Sequence, residues 1–80
     1  MELNALIRGS HHRLEAKEKR RITQKEIAQR IGVSHRTYIA YQQGKNAPLA
    51  MKALLNLLAM LDDSEILTVV RDWKVSQGQE

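Results

Sequence analysis

The chain has 80 residues, and its 42% hydrophobic and 28% charged residues are typical of one small folded domain. It contains no cysteine, which excludes a disulfide scaffold, a cysteine-ligated zinc site and thiol catalysis. The net charge is +4 and uneven, since residues 8–45 carry ten basic and three acidic side chains whereas residues 46–80 carry three basic and five acidic. The first half would therefore attract a polyanion such as nucleic acid.

The first twenty residues are predicted to form a helix, because they contain no proline and no run of β-branched residues. Leucine and isoleucine side chains supply an apolar stripe at helical spacing, and Gly9 is the point at which this helix could break. A second helix is predicted to start at Thr23, where Thr23 and Glu26 match the capping-box pattern. Gly32 ends it, because glycine readily takes a positive φ.

A third helix follows at once, with Ser34 as a good N-cap and Gly44 as its end. Two short helices joined by a turn that contains glycine form a helix-turn-helix, here at about residues 23–43. Tyr38 and Tyr41 share one side of the third helix and are expected in the core. The other side carries His35, Arg36, Ile39, Ala40 and Gln43.

Pro48 can open a fourth helix, and residues 49–61 are apolar except for Lys52 and Asn56. Such a helix must be covered on more than one side, and it is too short to span a bilayer. No signal peptide is recognisable, so we expect a cytoplasmic protein with no membrane contact. The expected core of the whole chain contains Ile22, Ile27, Ala28, Ile31, Val33, Leu54 and Leu57.

Residues 62–64 break the chain and cap a last amphipathic helix over residues 65–73. The polar residues 76–80 are expected to fray. We therefore predict a single domain over residues 1–75, followed by a flexible tail.

The sequence TQKEIAQRIGVS at residues 23–34, followed by YQQGKNAP at residues 41–48, resembles the XRE, or phage-repressor/Cro-type, helix-turn-helix family. The resemblance covers about residues 22–61, and both glycines and the proline have the spacing of the family. One departure is Gln42, where the family usually has glutamate. Residues 54–67 also resemble the HigA/MqsA-type antitoxins, in which an acidic turn and a short final helix follow a leucine-rich helix.

The resemblance implies an all-α, five-helix, phage-repressor-like DNA-binding domain that reads the major groove with helix 34–43. Arg36 is the residue best suited to read a base, since a guanidinium fits guanine O6 and N7. Gln24 is expected to contact a phosphate, as it does in the family, and Arg20, Arg21 and Lys25 to add nonspecific attraction. The full set of expected DNA contacts is Gln24, Ser34, His35, Arg36, Thr37, Ile39, Ala40, Gln43, Lys45 and Asn46.

We expect a twofold dimer on an operator, because one short recognition helix reads only a few base pairs. Trp73 is a candidate interface anchor, and packing against helix 1 is its alternative role. The leading interpretation is a repressor of transcription. The alternatives are an antitoxin that represses its own operon and binds a toxin, and a protein-interaction adaptor that does not use DNA. We do not expect an enzyme, a metal site or a cofactor, since Ser34 and His35 are adjacent and diverge, and the three histidines lack ligand spacing.

Overall fold

The computed structural model describes residues 2–45 and 48–78, and the regular secondary structure within them is entirely helical. The helices are α1 (Leu3–Glu18), α2 (Gln24–Ile31), α3 (His35–Gln43), α4 (Leu49–Leu58) and α5 (Asp63–Ser76). This confirms the predicted all-α, five-helix fold. The helices belong to two compact units, Met1–Pro48 and Leu49–Glu80. That they make up a single domain over residues 1–75 stays a prediction.

The first helix runs unbroken through Gly9, so the predicted break is wrong there. A single glycine inside a helix costs only about 1 kcal/mol relative to alanine, and the flanking turns keep their hydrogen bonds. The helix ends at Lys19, which takes the left-handed conformation with φ of 58° and donates its backbone N–H to Glu15. The chain then turns back towards α2.

Both helices of the helix-turn-helix begin at the predicted caps. The Thr23 hydroxyl accepts the N–H of Glu26 at 3.0 Å, and the Ser34 hydroxyl accepts the N–H of Thr37 at 3.0 Å. Gly32 and Gly44 end the helices in the left-handed region, with φ of 82° and 75°. These local features confirm the predicted helix-turn-helix.

One half of the predicted capping box at Thr23 is wrong. The Glu26 carboxylate is bound by Arg20 and Arg30 instead of by the Thr23 backbone. Two guanidinium groups offer a carboxylate stronger, charge-assisted hydrogen bonds than one backbone N–H does. A complete capping box exists at Asp62 and Glu65, where each side chain accepts the other's backbone N–H.

The core of the first unit lies where α1, α2 and α3 meet. Its buried apolar residues are Ile22, Ile27, Ala28 and Tyr38, against which Ile7, Leu14, Val33 and Tyr41 pack. Ile31 was expected in this core but is 56% exposed, because it is the last residue of α2 and lies beyond the buried turn.

The described residues of the second unit form no such core. Neither α4 nor α5 contains a buried residue, and the expected core residues Leu54 and Leu57 are exposed. An apolar stripe predicts which face of a helix prefers burial, but it does not show that another surface covers that face. Helix α4 ends earlier than predicted. Helix α5 is longer and reaches Ser76, the first residue of the predicted tail, whereas Gln79 and Glu80 lie outside the described residues.

Within the ranges that the structure covers, no helix is both long and apolar enough to cross a membrane.

Candidate nucleic-acid interface

The N-terminal end of α3 presents its polar side chains outward. Ser34, His35 and Arg36 are exposed, and Thr37 is partly exposed. The Ser34 hydroxyl donates to the Thr37 hydroxyl oxygen at 2.8 Å while it accepts the Thr37 N–H. The hydroxyl hydrogen of Thr37 is not used in this bond, because the Thr37 oxygen is the acceptor. Two hydrogen bonds thus order this end of the helix, and the polar side chains of His35 and Arg36 are accessible to solvent.

The remaining expected contacts lie further along the same helix or after it. Ile39 and Ala40 are partly buried, so each shows only part of its side chain on the surface. Gln43 and Lys45 are exposed at the C-terminal end of α3. Asn46, also expected to contact DNA, lies outside the described residues. The expected residues from Ser34 to Gln43 therefore cap or lie on one helix, and Lys45 follows its C-cap, Gly44.

The arginines of the basic half differ in whether they form ion pairs with carboxylates. Arg20 and Arg30 form an ion-pair network with Glu18 and Glu26, with the shortest N–O distance at 2.6 Å in each arginine's pairs. The guanidinium groups lower the pKa of both carboxyls, through Arg30 beside Glu18 and Arg20 beside Glu26. Two carboxylates therefore lie beside the Arg20 guanidinium, and the nonspecific attraction expected of Arg20 stays a prediction.

Arg36, in contrast, makes no ion pair within the described residues, and neither do Arg8 and Arg21. The last two line a cleft of about 500 Å³ between α1 and the start of α2. Gln24 and Gln42 line the same cleft. The structure thus places Gln24, an expected phosphate contact, in the same cleft as two arginines that are outside the described ion pairs.

The carboxylate in this cleft, Glu15, is already bound. It accepts the backbone N–H of Ile22 at 2.8 Å and contacts the His12 ring at 3.2 Å. These contacts, the Ile22 N–H foremost, lower the pKa of Glu15. The cleft therefore contains two arginines and only one carboxylate, and the oxygens of that carboxylate already have partners. The remaining positive charge suits an anion.

Four polar side chains link the cleft to the core. His11, only 8% exposed, has its Nε2 at 2.7 Å from the Ile22 carbonyl and its Nδ1 at 2.9 Å from the Tyr38 hydroxyl. Gln42 Nε2 lies 3.2 Å from both His11 Nδ1 and the Tyr38 hydroxyl. Gln24 Nε2 donates to Gln42 Oε1. Burial raises the pKa of Tyr38.

Sequence reasoning missed His11 as a structural residue. One signal was available, because Ile7, His11 and Leu14 follow the spacing i, i+4 and i+7 of a single helix face. A histidine on the apolar face of a helix needs buried partners, and here Tyr38 and the Ile22 carbonyl provide them. Those partners are distant in sequence, so the pattern of α1 alone could not name them.

In the part of the chain described here, no three histidine, aspartate or glutamate side chains are grouped to hold a metal ion. The site is built instead from guanidinium, amide and hydroxyl donors. Such donors suit phosphate oxygens and the acceptor edges of bases.

Comparison with known families agrees with this geometry. A family profile described as "Helix-turn-helix" matches residues 14–57, which is more than half of the chain. The match includes all of α2 and α3, together with the end of α1 and most of α4. No curated protein and no solved structure matches the chain at a significant level.

Proposed function

The chain belongs to the phage-repressor (XRE) helix-turn-helix family of DNA-binding proteins, and on that premise we propose that it is a sequence-specific repressor of transcription that binds its operator as a homodimer. The exposed N-terminal end of α3, with Arg36 outside every described ion pair, is the observation that carries this proposal. The protein would act in the cytoplasm by occluding a promoter.

The first part of the proposal concerns base recognition. In a helix-turn-helix the second helix enters the major groove with its N-terminal residues at the base edges. Arg36 would bind guanine O6 and N7, and the free hydroxyl proton of Thr37 would reach a neighbouring acceptor. Ile39 and Ala40 offer methyl groups to thymine, and His35 can donate to a base or a phosphate.

The second part concerns the DNA backbone. Gln24 begins α2, where free N–H groups and the positive end of the helix dipole favour a phosphate. Ser34, Gln43, Lys45 and Asn46 would contact phosphates on either side of the groove. The cleft adjoining Gln24 adds Arg8 and Arg21 to this set. These contacts would position the protein and make its affinity depend on salt.

The third part concerns the dimer. Large apolar side chains of α4 and α5 are exposed, among them Leu57, Leu67 and Trp73, the last at 64%. A second copy of the chain would cover them, and a twofold pair of recognition helices would read two half-sites. Trp73 is the expected anchor of that interface, because tryptophan is enriched at binding hot spots.

The test compares Arg36→Ala with wild-type protein on DNA from upstream of its own gene and on a scrambled duplex. We expect Arg36→Ala to reduce the discrimination between the two duplexes by about 1–3 kcal/mol, while nonspecific binding remains. Arg13→Ala, which removes an exposed arginine from α1, is the control and should leave discrimination unchanged. Equal weakening on both duplexes would refute the role of Arg36, and an absence of wild-type binding at low salt would refute DNA binding itself.

An antitoxin that represses its own operon is the second candidate. The order of elements in residues 49–78 supports it, since leucine-rich α4 is followed by the capped acidic turn at Asp62 and then by α5. The exposed apolar faces of these helices would then bind a toxin. A gene for a small toxin beside this gene, and a complex of the two products on co-expression, would favour this candidate over the simple repressor.

A further inference from the structure

A chain of hydrogen bonds connects the interior of the first unit to the start of α2. Its members come from all three helices: His11 from α1, Tyr38 and Gln42 from α3, and Gln24 from α2. Tyr38 is only 2% exposed, so it cannot contact DNA directly. Gln24, at the other end of this series of hydrogen bonds, is exposed.

The backbone carbonyl of Ile22 fixes the direction of every bond in this chain. A carbonyl can only accept, so His11 Nε2 must carry the hydrogen that it donates at 2.7 Å. In the neutral ring, Nδ1 is then an acceptor, and the Tyr38 hydroxyl donates to it at 2.9 Å.

The same donor-to-acceptor order continues from Tyr38 to the surface. Because the Tyr38 hydrogen is used on His11, the Tyr38 oxygen accepts from Gln42 Nε2 at 3.2 Å. The Gln42 amide is thereby oriented with Oε1 towards Gln24, whose Nε2 donates to it. The buried carbonyl thus determines which way the exposed Gln24 amide faces, and one N–H of that amide remains for a further acceptor.

We propose that His11, Tyr38 and Gln42 are positioning residues for DNA binding, which hold the Gln24 amide ready for a backbone phosphate. The inference rests on the proposed function, and it assigns a role to three residues that do not read bases. A glutamine side chain that is already ordered loses less conformational entropy when DNA arrives. The same bonds join α3 to the start of α2. They therefore hold the proposed phosphate contact at a fixed position relative to the helix that would read the bases.

A double-mutant cycle tests this role. Tyr38→Phe removes only the hydroxyl in the middle of the chain, and Gln24→Met removes the amide at its end. We expect Tyr38→Phe to weaken operator binding roughly threefold to tenfold in the wild-type background and not at all in the Gln24→Met background. Tyr41→Phe is the matched control, since Tyr41 packs against the core from the same helix but is outside the chain of bonds, and it should bind normally.

Loss of affinity that is equal in both backgrounds would overturn the proposal, because Tyr38 would then act only through the fold. Unchanged affinity in Tyr38→Phe would overturn it as well. Thermal unfolding of each variant, recorded beside the binding data, identifies any variant that is not folded at the temperature of the assay. If Tyr38→Phe is such a variant, Gln42→Met takes its place in the same cycle.

The side-chain amide signals of Gln24 in the free protein give a readout that needs no DNA. Nuclear magnetic resonance should show these NH₂ signals shifted in both Tyr38→Phe and Gln42→Met, and unchanged in Tyr41→Phe. Unshifted signals in both variants would overturn the proposal. A wild-type protein that bound no duplex would instead refute the proposed function, and the amide signals would still report on the chain of bonds.

Discussion

The two units of the chain differ in what stabilises them. The unit Met1–Pro48 buries Ile22, Ile27, Ala28 and Tyr38, and the buried polar side chain of His11 has hydrogen-bond partners. The unit Leu49–Glu80 contains more large exposed apolar side chains and no described residue that is buried. The first unit therefore has a core of its own, whereas the second exposes the apolar side chains that the proposed dimer would cover.

The two units also differ in charge. Residues 8–45 are strongly basic, and the three carboxylates among them are all bound by nearby donors. Residues 46–80 carry an excess of acidic side chains. A polyanion would be attracted to the first unit and repelled by the second. We therefore interpret the chain as a DNA-binding unit followed by an association unit.

The largest effect that would test this contrast is expected in the core of the first unit. Ile27 is 5% exposed, and Ile27→Ala should lower the free energy of unfolding by about 2–5 kcal/mol, because it removes apolar contacts and leaves a cavity. Leu57 is 63% exposed, and Leu57→Ala should change the free energy by less than about 0.5 kcal/mol in dilute protein. Urea unfolding followed by circular dichroism measures both.

Repeating the unfolding experiment at several protein concentrations separates the effect of the core from the effect of association. The effect of Ile27→Ala should be independent of concentration, and the effect of Leu57→Ala should increase as the protein associates. Equal effects of the two substitutions in dilute protein would mean that the second unit has a core comparable to the first.

The next largest effect is expected for association. Trp73→Ala should weaken the homodimer by about 2 kcal/mol or more, because it removes a large aromatic anchor from an exposed apolar face. Lys74→Ala, a change at the neighbouring exposed position, should have little effect and is the control. Sedimentation velocity at micromolar concentrations measures the dissociation constant. A wild-type protein that stayed monomeric would contradict the dimer and favour a different partner for this face, such as a toxin.

Much of the first unit could be predicted from local sequence. Thr23 and Ser34 cap their helices and Gly32 and Gly44 end them, because these roles depend on neighbours within a few residues. These local features were enough to predict the helix-turn-helix. The exposed position of Arg36 followed from the same register, since Tyr38 occupies the opposite side of α3.

The features that sequence analysis missed or misplaced depend on distant parts of the chain. His11 is a structural residue only because Tyr38, 27 positions later, completes its hydrogen bonds. Arg20 forms an ion pair with Glu26, six positions away across a turn, which the sequence pattern did not predict. Leu54 and Leu57 have the periodicity of a core, but periodicity cannot show whether the same chain covers them.

A smaller effect is expected from the cleft of the first unit. Arg8→Gln and Arg21→Gln should each reduce the slope of log binding constant against log salt by roughly 0.9, since each removes one phosphate contact. Discrimination between operator and scrambled DNA should not change, because backbone contacts carry no sequence information. Arg13→Gln, an exposed arginine of α1 outside the cleft, should leave the slope unchanged. If all three substitutions reduced the slope equally, general attraction would explain binding and the cleft would have no special role.

The smallest effect is expected from the ion-pair network, because its members are solvent-exposed and screened. Arg30 and Arg20 lower the pKa of Glu18 and Glu26 in the folded state, so the network stabilises the fold above the pKa that these carboxyls have in the unfolded chain. That contribution is lost as the pH falls from the pKa of a glutamate in the unfolded chain through the lower folded-state pKa. The Tm of wild-type protein should therefore fall more over this interval than the Tm of Arg30→Gln, which lacks one of the two arginines that pair with both carboxylates. Lys25→Gln removes a charge from the same helix outside the network and should keep the wild-type dependence. Parallel curves for wild type and Arg30→Gln would mean that the ion pairs only neutralise charge beside the DNA-binding surface and add nothing to the stability of the first unit.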